Sequence, residues 1–146
     1  MILEDGKAIF DSRVITRYLD DFAGSNLYPQ DKIYDILTLE ALADGIMESA
    51  VSITYESKLR PQNEQSPSWM EAQWSKVLHA VKALDDEQFK AMDSDMNMGQ
   101  IAVACALGYL DFRHDARKWR SGHSNLASWN DKMMKLPALI KTIPTD

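Results

Sequence analysis

Asp11-Ser12 stands directly ahead of Val14, Ile15, Tyr18, Leu19 and Phe22, which recur on one helical face. The free N–H groups of a helix's first turn, with a hydroxyl beside them, suit a carboxylate, and the helix dipole helps. An aspartate next to them suits an ammonium. From the dipeptide alone, simple capping, which any Asp-Ser before a helix can do, is the better account. Asp44 and Glu48 lie four apart in a long helical pattern and share a face. Like charges at that spacing repel by a few tenths of a kcal/mol, which invites a cation or leaves a solvated acidic face. Tyr55 continues the same stripe, as a pocket wall or as ordinary packing. Cys105 sits inside an apolar run and reads as a small buried residue. His79, His114 and His123 have no metal-ligand spacing, so no metal is assigned. Arg113, His114, Arg117, Lys118 and Arg120 form a local basic patch with one acid, Asp115.

These residues belong to a chain of 146, 45% hydrophobic and 26% charged, with net charge −6. That is one domain's worth of material with apolar residues enough for a core. The acidic balance argues against nucleic-acid binding. A single cysteine cannot form an internal disulfide. The longest uncharged apolar stretch, Ile101 to Leu110, is too short to span a bilayer. The expectation is a soluble, cytoplasmic chain.

Several elements must carry the candidate residues. Asp5-Gly6 between Ile2-Leu3 and Ala8-Ile9-Phe10 signals a hairpin, because glycine supplies the positive φ of a tight turn. A helix follows from Ser12, with Ser12 as its cap, and Gly24-Ser25-Asn26 ends it. Leu27-Tyr28-Pro29 reads as an extended connector. Helical spacing continues from Asp31 to Leu59, and again from Ser66 to Met92, where Ser66 caps and Pro67 opens the helix. Asn97 and Gln100 form a capping-box pattern ahead of Ile101–Leu110. That run is apolar on every face, which predicts a helix packed between the two long ones. A shorter amphipathic helix covers Asn125 to Leu136. Trp69, Trp74, Trp119 and Trp129 read as core or interface residues.

The order of these segments resembles the glutathione S-transferase family, bacterial-type members above all. Strand, Asp-Gly turn, strand and Asp-Ser-Arg-Val-Ile-Thr-Arg-Tyr-Leu resemble the end of the family's thioredoxin-like domain. The long helix with Ala43-Asp44-Gly45-Ile46 and Arg60-Pro61 resembles the first helix of its all-α domain. Asn97-Met98-Gly99-Gln100-Ile101-Ala102 and Ala106-Leu107-Gly108-Tyr109-Leu110-Asp111 resemble the capped central helix. Leu126-Ala-Ser-Trp129 and Leu136-Pro137-Ala-Leu-Ile-Lys-Thr-Ile-Pro144 resemble the closing segment.

The resemblance implies a mainly α fold: a glutathione S-transferase C-terminal-like helical bundle over residues 31–146. A residual β-hairpin and helix of a truncated thioredoxin-like domain would occupy 1–24, with 25–30 as linker. It implies that Asp11 and Ser12 bind the γ-glutamyl end of glutathione, the co-substrate. It implies that Asp44 and Glu48 reach its amine across a homodimer interface, and that Tyr55 lines the pocket for a hydrophobic electrophile. The first β-α-β, with the family's catalytic Tyr, Ser or Cys and its cis-proline loop, has no counterpart in these residues. No residue here is assigned thiol activation, and the chain by itself is expected to be inactive. A non-catalytic interaction or scaffold module of the same family stays open beside the enzyme. The unpaired hairpin edge is a second expected contact with another copy.

Overall fold

The computed structural model describes residues 1–86, 92 and 94–145. Six α-helices make up most of it: α1 Ser12–Ala23, α2 Ile33–Leu59, α3 Pro67–Asp86, α4 Met98–His114, α5 Ser124–Met133 and α6 Pro137–Lys141. The expected continuation of α3 toward Met92 lies, over 87–91, outside the described residues.

The hairpin turns as expected but barely pairs. Gly6 takes φ +83°, its N–H bonds the Leu3 carbonyl at 2.9 Å, and Leu3 N–H bonds the Lys7 carbonyl at 2.9 Å. This is a three-residue loop with glycine at its left-handed position. Beyond it only Ile2 and Ala8 form an antiparallel bridge, and no strand forms among the described residues. Met1 and Ile9 also exchange two backbone hydrogen bonds at 3.0 Å, and the arms end there, too short for a longer ladder.

The cap of α1 is Asp11, not Ser12. Its side chain accepts from Arg13 N–H at 3.2 Å, and Ser12 becomes the first helical residue. Both residue types cap well, and the backbone leaves Asp11 one step outside the helix, in the extended region. Gly24 ends the helix at φ +63°. Helix α4 starts as its sequence requires: Gln100 N–H donates to Asn97 Oδ1 at 3.1 Å, and Asn97 N–H donates to Gln100 Oε1 at 3.4 Å. Ser66 likewise caps α3, with Trp69 N–H reaching its hydroxyl at 3.4 Å.

The core joins Leu39, Ala43, Ile46, Ala50 and Ile53 of α2 to Trp74, Val77, Val81 and Leu84 of α3. Val103, Ala106, Leu107 and Leu110 of α4 complete it. Eight of the seventeen residues of α4 are buried. The helix that packs extensively on both long neighbours is nevertheless α2, not α4. Gly99 explains how closely α2 and α4 approach. A β-carbon there would lie 2.7 Å from Leu39 Cβ and 2.9 Å from the Ile36 carbonyl oxygen.

Helix α1 is docked the other way round from a core helix. Its Val14, Leu19 and Phe22 are exposed, and Tyr18 is at the exposed margin. The apolar face read from the sequence exists, but within this chain it faces away from the bundle. Polar groups join α1 to α2.

Candidate functional site

The start of α1 meets the middle of α2 through an ion pair. Arg13, next to Ser12, donates from Nε to the Asp44 carboxylate. The cation that Asp44 invites is thus supplied from α1 of the same chain, and the pair ties the start of α1 to α2. Glu48, one turn along α2, is exposed. Tyr55 lies eleven residues from Asp44, about 16 Å along the helix at 1.5 Å per residue. It stands 61% exposed in a separate open groove of about 910 Å³ that also contains Leu59 and Trp69. The structure therefore ties Arg13, the residue after Ser12, to Asp44 and leaves Tyr55 apart.

Behind this cluster lies a buried polar network. The Tyr28 hydroxyl is 2.6 Å from Glu40 Oε1 and 2.8 Å from Thr16 Oγ1. Thr16 Oγ1 in turn lies 2.9 Å from the Ser12 carbonyl. Tyr28 is therefore more than a connector residue, being buried between α1 and α2 with Arg17 over its ring at 5.0 Å. Burial and the neighbouring Glu40 push the Tyr28 phenol well up. Burial also raises the Glu40 carboxyl above the ordinary range, and the Tyr28 hydroxyl offsets this in part. Asp20 anchors the connector, accepting from Ser25 Oγ at 2.6 Å, Leu27 N–H at 2.7 Å and Tyr28 N–H at 3.2 Å. Burial alone would raise Asp20, but these bonds outweigh it and hold the carboxyl below its usual value. Thr16, Arg17, Asp20, Tyr28 and Glu40 carry no motif. Glu40, an acid at a core position of α2, was the one visible signal.

Two other expectations change. Cys105 is exposed, lining a cavity of about 200 Å³ with Met47, Tyr109, Met134, Leu139 and Ile143. The apolar walls push its thiol up. The reason is that one apolar side of α4 is left open by the chain. Three cations of the basic stretch are matched by carboxylates. Arg117 pairs with Glu71 at 2.9 Å, Lys118 with Asp115 at 3.0 Å, and Arg120 with Asp111 at 2.7 Å and Asp131 at 3.0 Å. His114 is buried. Its Nε2 lies 2.9 Å from the Ala50 carbonyl and 3.1 Å from Thr54 Oγ1, and burial lowers its pKa. Among the described residues no group of three or more His, Cys, Asp or Glu could hold a metal, and no helix is long and apolar enough to cross a membrane.

A helical bundle entered through a polar-docked helix, with a capping box opening its buried helix, defines the carboxy-terminal architecture of one class of transferase. Residues 67–131 match the family described as "Glutathione S-transferase, C-terminal domain". The chain is similar to the uncharacterised GST-like protein YibF of Escherichia coli K12, 28% identical across 99% of this chain and 73% of that protein. It superposes on a glutathione transferase family member from Pseudomonas fluorescens Pf-5, crystallised with S-(propanoic acid)-glutathione. There the TM-score is 0.93 and the identity 37%, over 100% of this chain and 76% of the other. A glutathione S-transferase from Methylobacillus flagellatus KT with GSH bound gives 0.90 and 34%, over 99% and 74%. The chain belongs to the glutathione S-transferase family.

Proposed function

We propose that this chain holds the γ-glutamyl end of glutathione at the start of α1, as part of a transferase that adds glutathione to, or reduces, a hydrophobic electrophile. Ser12 and the N–H groups of the first turn receive the carboxylate, and Asp11 receives the ammonium. Asp44 and Glu48 add negative potential on the ammonium side, and Tyr55 lines the electrophile's groove. Residues 1–24 serve as the thioredoxin-like part, 25–30 as linker and 31–146 as the all-α domain. The chain works as a cytoplasmic homodimer. The observation that carries the reading is the Arg13–Asp44 pair, which ties the start of α1 to the bundle. The glutathione and glutathione adduct in the solved relatives support it.

Calorimetric titration with glutathione tests it. Ser12→Ala removes a bond to the carboxylate and Asp11→Ala the acceptor of the ammonium, so each should weaken binding roughly tenfold or more, since bonds to charged groups contribute about 1.5–3 kcal/mol. No heat of binding at millimolar glutathione refutes the site. The 146 residues alone should show no conjugation above background, because among the described residues none is assigned the role of lowering the thiol pKa. Turnover abolished by one substitution within this chain would overturn that part.

A second reading, a non-catalytic interaction module, draws support from the exposed Val14, Leu19 and Phe22 of α1. The DNA upstream of the first codon separates the two. An in-frame strand-helix-strand with a cis-proline dipeptide favours the enzyme, and a nearby stop codon favours the module.

A further inference from the structure

The apolar face of α1 and the hairpin form one uncovered surface. Met1, Ile2 and Leu3 share an open groove of about 420 Å³ with Tyr18, Leu19 and Phe22. Phe22 is 79% exposed, Ile2 70%, and Val14, one turn ahead of Tyr18, 49%. The Tyr18 and Phe22 rings stack with centroids 6.1 Å apart. Together these residues leave on the order of 600 Å² in water, at the top of the roughly 300–600 Å² that the largest apolar patch of a monomer reaches. It is also most of the about 800 Å² that each partner buries in a stable complex.

The charges of α1 say what fits there. Arg13 is held by Asp44, and Asp20 by the connector. Arg17 and Asp21 make no ion pair among the described residues; Asp21 is exposed, and the Arg17 guanidinium lies over the Tyr28 ring. At about 100° per residue, Arg17 and Asp21 stand one turn apart on the same flank of the stripe Val14, Tyr18 and Phe22. A flank that runs from basic to acidic is complementary to itself reversed. About a two-fold axis at Tyr18, with the helices antiparallel, Val14 meets the partner's Phe22, Tyr18 meets the partner's Tyr18, and Arg17 comes within a turn of the partner's Asp21. Parallel helices would instead set Arg17 against the partner's Arg17, and Asp21 against the partner's Asp21.

We infer that this surface pairs with a second copy of the chain, α1 against α1 in antiparallel, with two Arg17–Asp21 ion pairs along one edge. The same patch is used on both copies, so the contact closes as a dimer and does not propagate. Residues four apart form the ridge that interlocks with its counterpart. The apolar stripe supplies the stabilisation, because exposed ion pairs contribute little. The charges supply the orientation, because like charges brought together exclude the parallel arrangement. The inference gives a surface to the homodimer proposed above and rests on that reading for the number of copies alone.

Sedimentation velocity of the 146-residue chain over a range of concentrations tests it, with circular dichroism to check that each variant folds. Wild type should dimerise, and Phe22→Ser should abolish pairing. Arg17→Glu sets two acids against each other at both ends of the edge, and Asp21→Lys two bases. Each should weaken the dimer roughly fivefold to tenfold, and added salt should narrow the gap. Mixed in equal amounts, the two charge variants should pair with each other at near wild-type strength, because each carries the charge the other lacks. If Arg17→Glu fails to fold, for Arg17 also covers the Tyr28 ring, the salt-sensitive loss in Asp21→Lys decides the point. A mixture no tighter than either variant alone overturns the antiparallel arrangement. A dimer left intact by both Phe22→Ser and Asp21→Lys overturns this surface and spares the homodimer. A wild type that stays monomeric at every concentration overturns both. Glutathione binding is decided separately, by the calorimetric titration.

Discussion

Replacing Gly99 with alanine tests the packing of α2 on α4, because the contact has no room for a methyl group. The new β-carbon would sit 2.7 Å from Leu39 Cβ and 2.9 Å from the Ile36 carbonyl oxygen. Carbon atoms pack best at about 3.5–4.0 Å, so the helices must part by roughly 1 Å. Neither obstacle is a flexible side-chain end. Overpacking of this kind costs about 1–3 kcal/mol. The better helix propensity of alanine returns at most about 1 kcal/mol, less in a first turn. A net loss of about 1–2 kcal/mol is expected, lowering the Tm by roughly 2–4 °C per kcal/mol in a chain of this size. Gly45 is the control: it lies inside α2, and a β-carbon added there would meet nothing within 4 Å, so Gly45→Ala should gain up to about 1 kcal/mol. Thermal and urea unfolding followed by circular dichroism, at concentrations where the chain is monomeric, gives both numbers. A Gly99→Ala protein as stable as wild type, beside a stabilised Gly45→Ala, would refute the close approach of α2 and α4.

Three more outcomes follow from the same structure. Asn97→Ala should cost about 0.5–2 kcal/mol in urea unfolding, since it removes one half of the capping box. Asp111→Ala should cost about 2–3 kcal/mol by the same measurement. It strips the acceptor from Trp119 Nε1 at 2.7 Å and from Arg120 Nη2 at 2.7 Å. Burial lowers the His114 pKa, so between the folded and unfolded values the unfolded chain binds more protons. The stability that neutral His114 confers is present above about pH 6.5 and lost as pH falls through the folded value. Urea midpoints measured against pH should show this acid limb, and His114→Gln should flatten it. Glu40 acts in the opposite sense: its raised pKa gives a contribution present at low pH and lost as pH rises through the folded value.

What the sequence makes legible here is what a few neighbouring residues decide together. Gly24, Ser66-Pro67 and the Asn97–Gln100 pair mark helix ends because capping is a local bond, three residues long at most. Asp11 displaced Ser12 as cap because both residue types can do it and only the backbone decides which stands one step outside the helix. The long-range partners were beyond reach for a different reason. Arg13 meets Asp44 across 31 residues, and Thr54 meets His114 across 60. Nothing in an arginine or a histidine names its partner; packing does. Cys105 shows the same limit from the apolar side. Periodicity counts faces that could be buried, and α4 could be buried on all of them. Whether another element covers a given face is a property of the whole assembly. Asp11 and Ser12 were readable as a candidate site because a helix start is marked locally; the Glu40–Tyr28–Thr16 network was not, because its members come from different segments.

The docking of α1 has a consequence for how the protein comes apart. Arg13–Asp44, Thr16–Tyr28 and the Asp20 anchor join it to the rest, while Val14, Leu19 and Phe22 already lie in water. Releasing α1 would uncover the Tyr28 ring and Ile15 but leave the core of α2, α3 and α4 closed. Denaturant sensitivity and the heat-capacity change both scale with the surface uncovered. The detachment of α1 should therefore respond weakly to urea and be nearly silent in a calorimeter. Ionic strength and proton concentration are the variables that act on it, so the helix start and the bundle behind it can part company under conditions in which every global measure of folding still reads as native.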